Sequence, residues 1–261
     1  SWLATIEMGH YQISWRHGNK VGTAFNYHPE GKGLNYRTNL YYMETLDGGL
    51  TWQTMVGENV DVPIQSIQSN ALIHDFRSKS KLVYLKDLNF DANGNPIILF
   101  LSSSDYKSGP QATPRTWTTA RWNGSSWKMF PEEPGDDNGI TSDSNYDTGC
   151  IHVENDGTWR IIGPSGVGPQ PFNPGGEIEL FTSINQGETW KKERVVTKNS
   201  KYNHTYARRP VNAHRDFYAL WADGNPRKMS RSSIYFCNAD GSMVKQLPFK
   251  MKDAFESPVM L

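Results

Sequence analysis

Thr45-Leu46-Asp47-Gly48-Gly49-Leu50-Thr51-Trp52 and Ser183-Ile184-Asn185-Gln186-Gly187-Glu188-Thr189-Trp190 share one form. It reads hydroxyl, any residue, Asp or Asn, any residue, Gly, any residue, Thr, Trp. A short polar side chain at the third position accepts hydrogen bonds from the turn backbone, and glycine supplies the positive φ that a tight turn needs. Each copy follows a strand-like run, Thr38–Met43 in the first case and Ile178–Phe181 in the second. Each is therefore read as the turn between the third and fourth strands of a repeated unit.

Working outward from these turns gives four units. The first has strands over Gly9–Arg16, Val21–Tyr27 and Thr38–Met43, with Thr51-Trp52-Gln53 as its fourth. The second has Leu82–Leu88, Pro96–Leu101, Thr116–Trp122 and Trp127–Phe130. The third has Cys150–Val153, Trp159–Ile162, Ile178–Phe181 and Trp190–Lys192. The fourth starts at Tyr202–Pro210 and continues through Phe217–Ala222, Ser233–Phe236 and Met243–Gln246. Four in-phase antiparallel meanders predict an all-β β-propeller of four-stranded blades, over residues 8–56, 69–131, 146–197 and 202–249. A sandwich is the competing architecture, but it gives no reason for turns in phase. Ile97 to Leu101 is apolar throughout, as a strand buried on both faces would be.

Composition agrees. The chain has 261 residues with 23 Gly, 15 Pro and 12% aromatics, which favours short strands and many turns. Lys+Arg and Asp+Glu are both 27, so no net basic footprint points to nucleic acid. No apolar run reaches membrane-spanning length. Cys150 and Cys237 are too few for a disulfide framework and fall in strand-like runs, so buried thiols are expected.

The two turns resemble the Asp box of sialidase-type (bacterial neuraminidase repeat) propellers, with Asn185 a departure from the usual Asp. In that resemblance the Trp packs between blades. Gly9–Trp15, Arg37–Tyr42, Phe172–Glu177 and Tyr202–Val211 resemble segments of carbohydrate-active propellers, such as ulvan-type polysaccharide lyases and rhamnose–glucuronate hydrolases. The resemblance implies a secreted or periplasmic protein acting on an acidic polysaccharide or oligosaccharide, with no cofactor. Such propellers are usually seven-bladed. Four blades then read as the C-terminal part of a larger ring, with the rest from an N-terminal part or a second chain; a four-bladed ring is the alternative.

Blade topology sorts the candidate residues. Loops before the first strand and between the second and third share one face; hairpin turns share the other. Long loops on a rigid scaffold are where sites are expected. His10, His28, Arg37, His74, Tyr106, Arg115, His204, Tyr206 and Arg208 map to the loop face or the strand ends beside it. His17 and His214 fall in opposite-face turns, and His152 reads as a satisfied core histidine. His204, Tyr206 and Arg208 are two apart, so regular alternation puts them on one side of a strand, with Arg209 on the other. A His/Tyr/Arg row suits β-elimination from a uronate: Arg neutralises the carboxylate, and His and Tyr move the protons. On this reading His204, Tyr206, Arg208 and His10 are catalytic. His28, Arg37, His74, Tyr106, Arg115, Arg209 and Glu177 bind substrate. A hydrolase would need paired carboxylates, for which Glu177 and Asp75 are the acids to test. A non-catalytic glycan-binding propeller is the third reading. Asp136-Asp137-Asn138 and Asp143-Ser144-Asn145 leave room for structural calcium, without EF-hand spacing.

Overall fold

The computed structural model describes residues 3–107, 115–132 and 139–261. Among these residues there is no helix, so none that is long and apolar enough to cross a membrane. The strands are β1 (Gln12–His17), β2 (Lys20–Tyr27), β3 (Thr38–Thr45), β4 (Leu72–His74), β5 (Leu82–Phe90), β6 (Pro96–Ser103), β7 (Arg115–Trp122) and β8 (Trp127–Phe130). They continue as β9 (Ile140–Thr141), β10 (Cys150–Val153), β11 (Trp159–Gly166), β12 (Glu177–Ser183), β13 (Lys191–Val195), β14 (Asn203–Arg208), β15 (Ala219–Gly224), β16 (Ile234–Cys237), β17 (Val244–Gln246) and β18 (Val259–Met260). The chain divides into two compact units, the first holding β1–β8 and the second β9–β18.

Four antiparallel meanders carry the fold: β1-β2-β3-β4, β5-β6-β7-β8, β10-β11-β12-β13 and β14-β15-β16-β17, the last extended by β18. This is the blade of a β-propeller. In the first unit, period-two alternation sends Phe25, Tyr27, Tyr41 and Met43 to one face of the first blade and Ala24, Leu40 and Tyr42 to the other. The first set packs on Ala4, Ile6, Val60 and Ile64; the second packs on Val83, Phe90, Ile98 and Phe100 of the next blade. Both faces being covered explains why β2, β3 and β6 are buried over most or all of their length. In the second unit Cys150, Ile162, Ile178 and Leu180 pack on Ala207, Tyr218, Trp221 and Tyr235.

The two repeated turns close as their chemistry predicts. Asp47 Oδ1 accepts from the amides of Leu50 (3.0 Å) and Thr51 (3.0 Å), while Thr45 Oγ1 accepts from Gly49 N–H at 2.8 Å. In the later copy Ser183 Oγ accepts from Gly187 N–H at 2.9 Å and Asn185 Oδ1 from Thr189 N–H at 3.1 Å. Gly49 and Gly187 take φ of 93° and 86°. Turn hydrogen bonds hold the Asp47 carboxyl below the usual carboxylate range. Trp52 is buried in the cluster that covers one face of the first blade, with Met43, Val60 and Ile64.

The fourth strand of the first blade differs from expectation. Gln53 makes only isolated bridges, to Glu44 and Asn59, and the outer strand is Leu72–His74. After Trp52 is buried the chain hairpins back at Thr54–Glu58, then runs past Ile64, which bridges Ala4, before returning to pair with β3. Both cysteines are buried free thiols, as expected.

Candidate functional site

In the first unit, the starts of β1 and β3 and the end of β2 bring chemistry to one rim. His10 lies just before β1, His28 just after β2 and Arg37 just before β3. Backbone bonds between His28 N–H and Gly9 O (2.9 Å) and between Met8 N–H and His28 O (3.1 Å) continue the β1–β2 pairing, so the two histidines sit on one edge. Asn26, wholly buried, fixes that edge to the next blade. Its Oδ1 accepts from Tyr11 N–H at 3.3 Å and its Nδ2 donates to Val83 O at 2.8 Å. Val83 N–H in turn donates to Arg37 O at 2.9 Å.

The Arg37 guanidinium lies over two aromatic rings, 4.0 Å from the Tyr11 centroid and 4.8 Å from that of Tyr84. Its Nε donates to Leu34 O at 3.2 Å. Stacking holds a planar guanidinium in place. Tyr11 packs edge-on against His28, centroids 5.1 Å apart, and is 46% exposed. His28 is 2% exposed, and its Nδ1 has no hydrogen-bond partner among the described residues. Burial first, then the positive charge of Arg37, lowers the His28 pKa, so at neutral pH the ring is uncharged. His10 is partly exposed and packs edge-on against Phe25 at 5.9 Å. Tyr106, also exposed, meets Tyr36 edge-on at 6.0 Å. Arg115 opens β7 fully buried and donates to Lys107 O. His74 ends the outer strand and packs against Phe76 at 4.4 Å.

The second unit treats its candidates differently. The His204–Tyr206–Arg208 row expected on one side of a strand is broken. A bulge shifts the β14–β15 register between Thr205 and Arg208, and Tyr206 takes φ of 60°. His204 is therefore turned inward at 4% exposure while Tyr206 is 61% exposed, with the Arg208 guanidinium 5.4 Å from its ring. Ala207 N–H bonds to Thr148 O at 3.0 Å, which anchors the bulge. Arg209 lies close enough to His152 for its charge to depress that pKa, after burial. His152 stacks on Tyr218 at 3.7 Å and is the core histidine expected.

Around His204 the polar groups form a closed chain. Trp221 Nε1–H donates to His204 Nδ1 at 2.9 Å, and His204 Nε2 bonds Ser200 Oγ at 2.9 Å. Ser200 Oγ donates to Glu177 Oε2 at 2.7 Å, and Glu177 also receives Thr197 Oγ1 (2.6 Å) and Ser200 N–H (2.9 Å). Indole is a donor only, so Nδ1 must be the acceptor and the proton of neutral His204 sits on Nε2. The serine then receives from histidine and donates to glutamate. This is the reverse of the polarity that activates a nucleophile. Burial lowers the His204 pKa, against the opposing pull of Glu177 and Asp223.

Among the described residues no group of three or more His, Cys, Asp or Glu is placed to hold a metal ion. Asp136–Asn138 lies outside the described residues. Sequence reasoning missed Tyr11, Tyr84 and Asn26. Tyr11 adjoins His10 and Asn26 precedes Tyr27-His28, so proximity was the available signal; Tyr84 lies far away in sequence.

Residues 5–132 match the family model for BNR repeat-containing members. That stretch contains the whole rim from His10 to Arg115. No curated protein matches the chain. Among solved structures, an ulvan lyase described as a new polysaccharide lyase family superposes with a TM-score of 0.64 at 17% identity, covering 88% of this chain and 51% of that one. The same figures hold for that lyase bound to -[GlcA(1-4)Rha3S]-. The Trypanosoma rangeli sialidase superposes with a TM-score of 0.50 at 13% identity, covering 90% of this chain and 36% of that one. These likenesses establish the shared propeller fold. The chain spans about half the length of the lyase it matches.

Proposed function

We propose that the protein degrades a uronate-containing polysaccharide by β-elimination at the rim of the first unit. The observation that carries this is the Arg37 guanidinium held between Tyr11 and Tyr84, on the edge where His10 and His28 meet. Arg37 pairs with the uronate carboxylate and so acidifies the proton on the adjacent carbon. His10, the more exposed histidine, removes that proton. The C–H electron pair becomes the new C=C bond, the bond from the neighbouring carbon to the glycosidic oxygen breaks, and an exposed phenol, Tyr11 or Tyr106, protonates that oxygen. His28, buried and uncharged, packs edge-on against Tyr11 and backs that ring at the rim. A hydrolase that needs two carboxylates is less well served here: Glu7 is paired with Arg77 at 3.0 Å and Asp75 accepts Ser78 N–H at 3.1 Å, which leaves Glu30 as the exposed acid of this edge.

The ulvan lyase and its oligosaccharide complex support an acidic glycan as substrate. A polymeric substrate in turn supports a secreted or periplasmic location. Incubation with ulvan and other uronate polysaccharides should raise the ultraviolet absorbance of an unsaturated uronate. His10→Ala and Arg37→Met should each lower the rate about 10²–10⁴-fold without unfolding the protein. Reducing ends released with no unsaturated product would overturn elimination in favour of hydrolysis. Binding with no product from any uronate glycan would leave a lectin-like propeller.

A further inference from the structure

The second unit contains a cleft of about 540 Å³ built from its own residues. The rings of Tyr235 and His204, centroids 4.9 Å apart, line it together with Thr197, Ser200, Asp223 and Ser242. Arg194, Lys198 and Lys201 line it as well. Neither lysine has a carboxylate partner among the described residues. Lys201 lies over Tyr202 at 5.1 Å, and Arg194 Nε donates to Asp240 O at 2.8 Å.

The acids beside the cleft are already engaged. Asp223 accepts Ser233 N–H at 2.6 Å and Tyr235 Oη–H at 3.0 Å, and Glu177 is saturated by Thr197 and Ser200. Three cations thus line a hollow that is part polar, part aromatic and part aliphatic (Val195, Val196, Val244, Leu261), and the side-chain carboxylates of Asp223 and Glu177 are turned to their own hydrogen bonds. The Glu177–Ser200–His204–Trp221 chain fixes the segment that carries both lysines, so the cleft is pre-organised. Its volume suits one or two sugar rings.

We propose that this cleft binds an anionic sugar residue, through its carboxylate or sulfate ester, at a site separate in residues from the lyase rim. The sugar part of this assignment rests on the proposed polysaccharide substrate; the anionic part rests on the cleft alone. Arg194, Lys198 and Lys201 take the anion, and Tyr235 and the hydroxyls meet the ring.

The test is calorimetric titration of the intact protein with glucuronate, with rhamnose 3-sulfate, with inorganic sulfate and with neutral rhamnose. The comparison protein is the Lys198→Ala/Lys201→Ala variant, checked for an unchanged melting temperature. Charge-assisted contacts predict a loss of about 10- to 100-fold in affinity for the charged sugar in the variant. Glucuronate binding supports a carboxylate source and rhamnose 3-sulfate binding a sulfate source. Equal affinity for neutral rhamnose, equal affinity in the variant, or binding by inorganic sulfate as strong as by either sugar overturns the proposal. Product formation by the wild type is read separately. Charged-sugar binding that is lost in the variant, with no unsaturated product, refutes the lyase reading and leaves the cleft standing.

Discussion

Replacing Trp221 by phenylalanine removes one hydrogen-bond donor from a buried ring and tests the polarity of the His204 chain. Trp221 is 1% exposed and its indole N–H is the partner of His204 Nδ1 at 2.9 Å. Leaving a buried acceptor unpaired costs about 1–3 kcal/mol, and the smaller ring adds about 1–2 kcal/mol of lost packing. A total of about 2–5 kcal/mol is a large part of a typical domain's stability. The pH dependence carries the specific signal. In the wild type the folded state favours neutral His204, so its folded pKa lies below the unfolded value of about 6.5. The unfolded state then binds more protons, so this contribution is fully present above about pH 6.5 and is lost as pH falls through the window beneath it. Without the indole donor the neutral form loses an advantage, the folded pKa rises, and the loss on acidification becomes shallower. Denaturant unfolding across that pH range measures the slope, and nitrogen NMR of the imidazole reads the tautomer directly. A wild-type ring with its proton on Nδ1, or an unchanged acid slope in the variant, would refute the assigned polarity. A proton on Nδ1 would make Ser200 the donor to His204 Nε2.

Three further outcomes are expected. Gly22→Ala should destabilise by about 1–3 kcal/mol in equilibrium unfolding, because a Cβ there would meet Tyr42 and lie 2.9 Å from Phe90 Cζ in a filled core. Asn203→Asp should destabilise more than Asn203→Ala. Its Nδ2 donates to the carbonyls of Gln170 (3.0 Å), Pro174 (3.2 Å) and Gly175 (3.1 Å), and a carboxylate would face all three oxygens in a buried site; equal melting temperatures for the two variants would contradict this. His28, His152 and His204 all have lowered pKa values with burial as the first cause, so stability should fall as pH drops below about 6.5. His28→Phe should lessen that fall.

The four meanders and the repeat were legible because turn chemistry is local. Asp47 bonds to amides three and four residues on, so the eight-residue stretch contains its own explanation. The rim was also legible in part. Strand direction alone places His10, His28 and Arg37 at one end of a meander, and the structure brings them there. What failed was alternation through Tyr202–Pro210. A bulge costs one residue of register, and it comes with a backbone bond from Ala207 to Thr148, which no local pattern announces.

By itself the sequence determined the all-β propeller blade, because short-range hydrogen bonding and period-two burial suffice to form a meander. Only the tertiary structure decided which side chains share a site. Tyr84 reaches Arg37 from the next blade, and Trp221 sets the His204 tautomer from a neighbouring strand. Such pairings depend on how sheets pack and where register slips, and those are set by contacts between residues far apart in the chain.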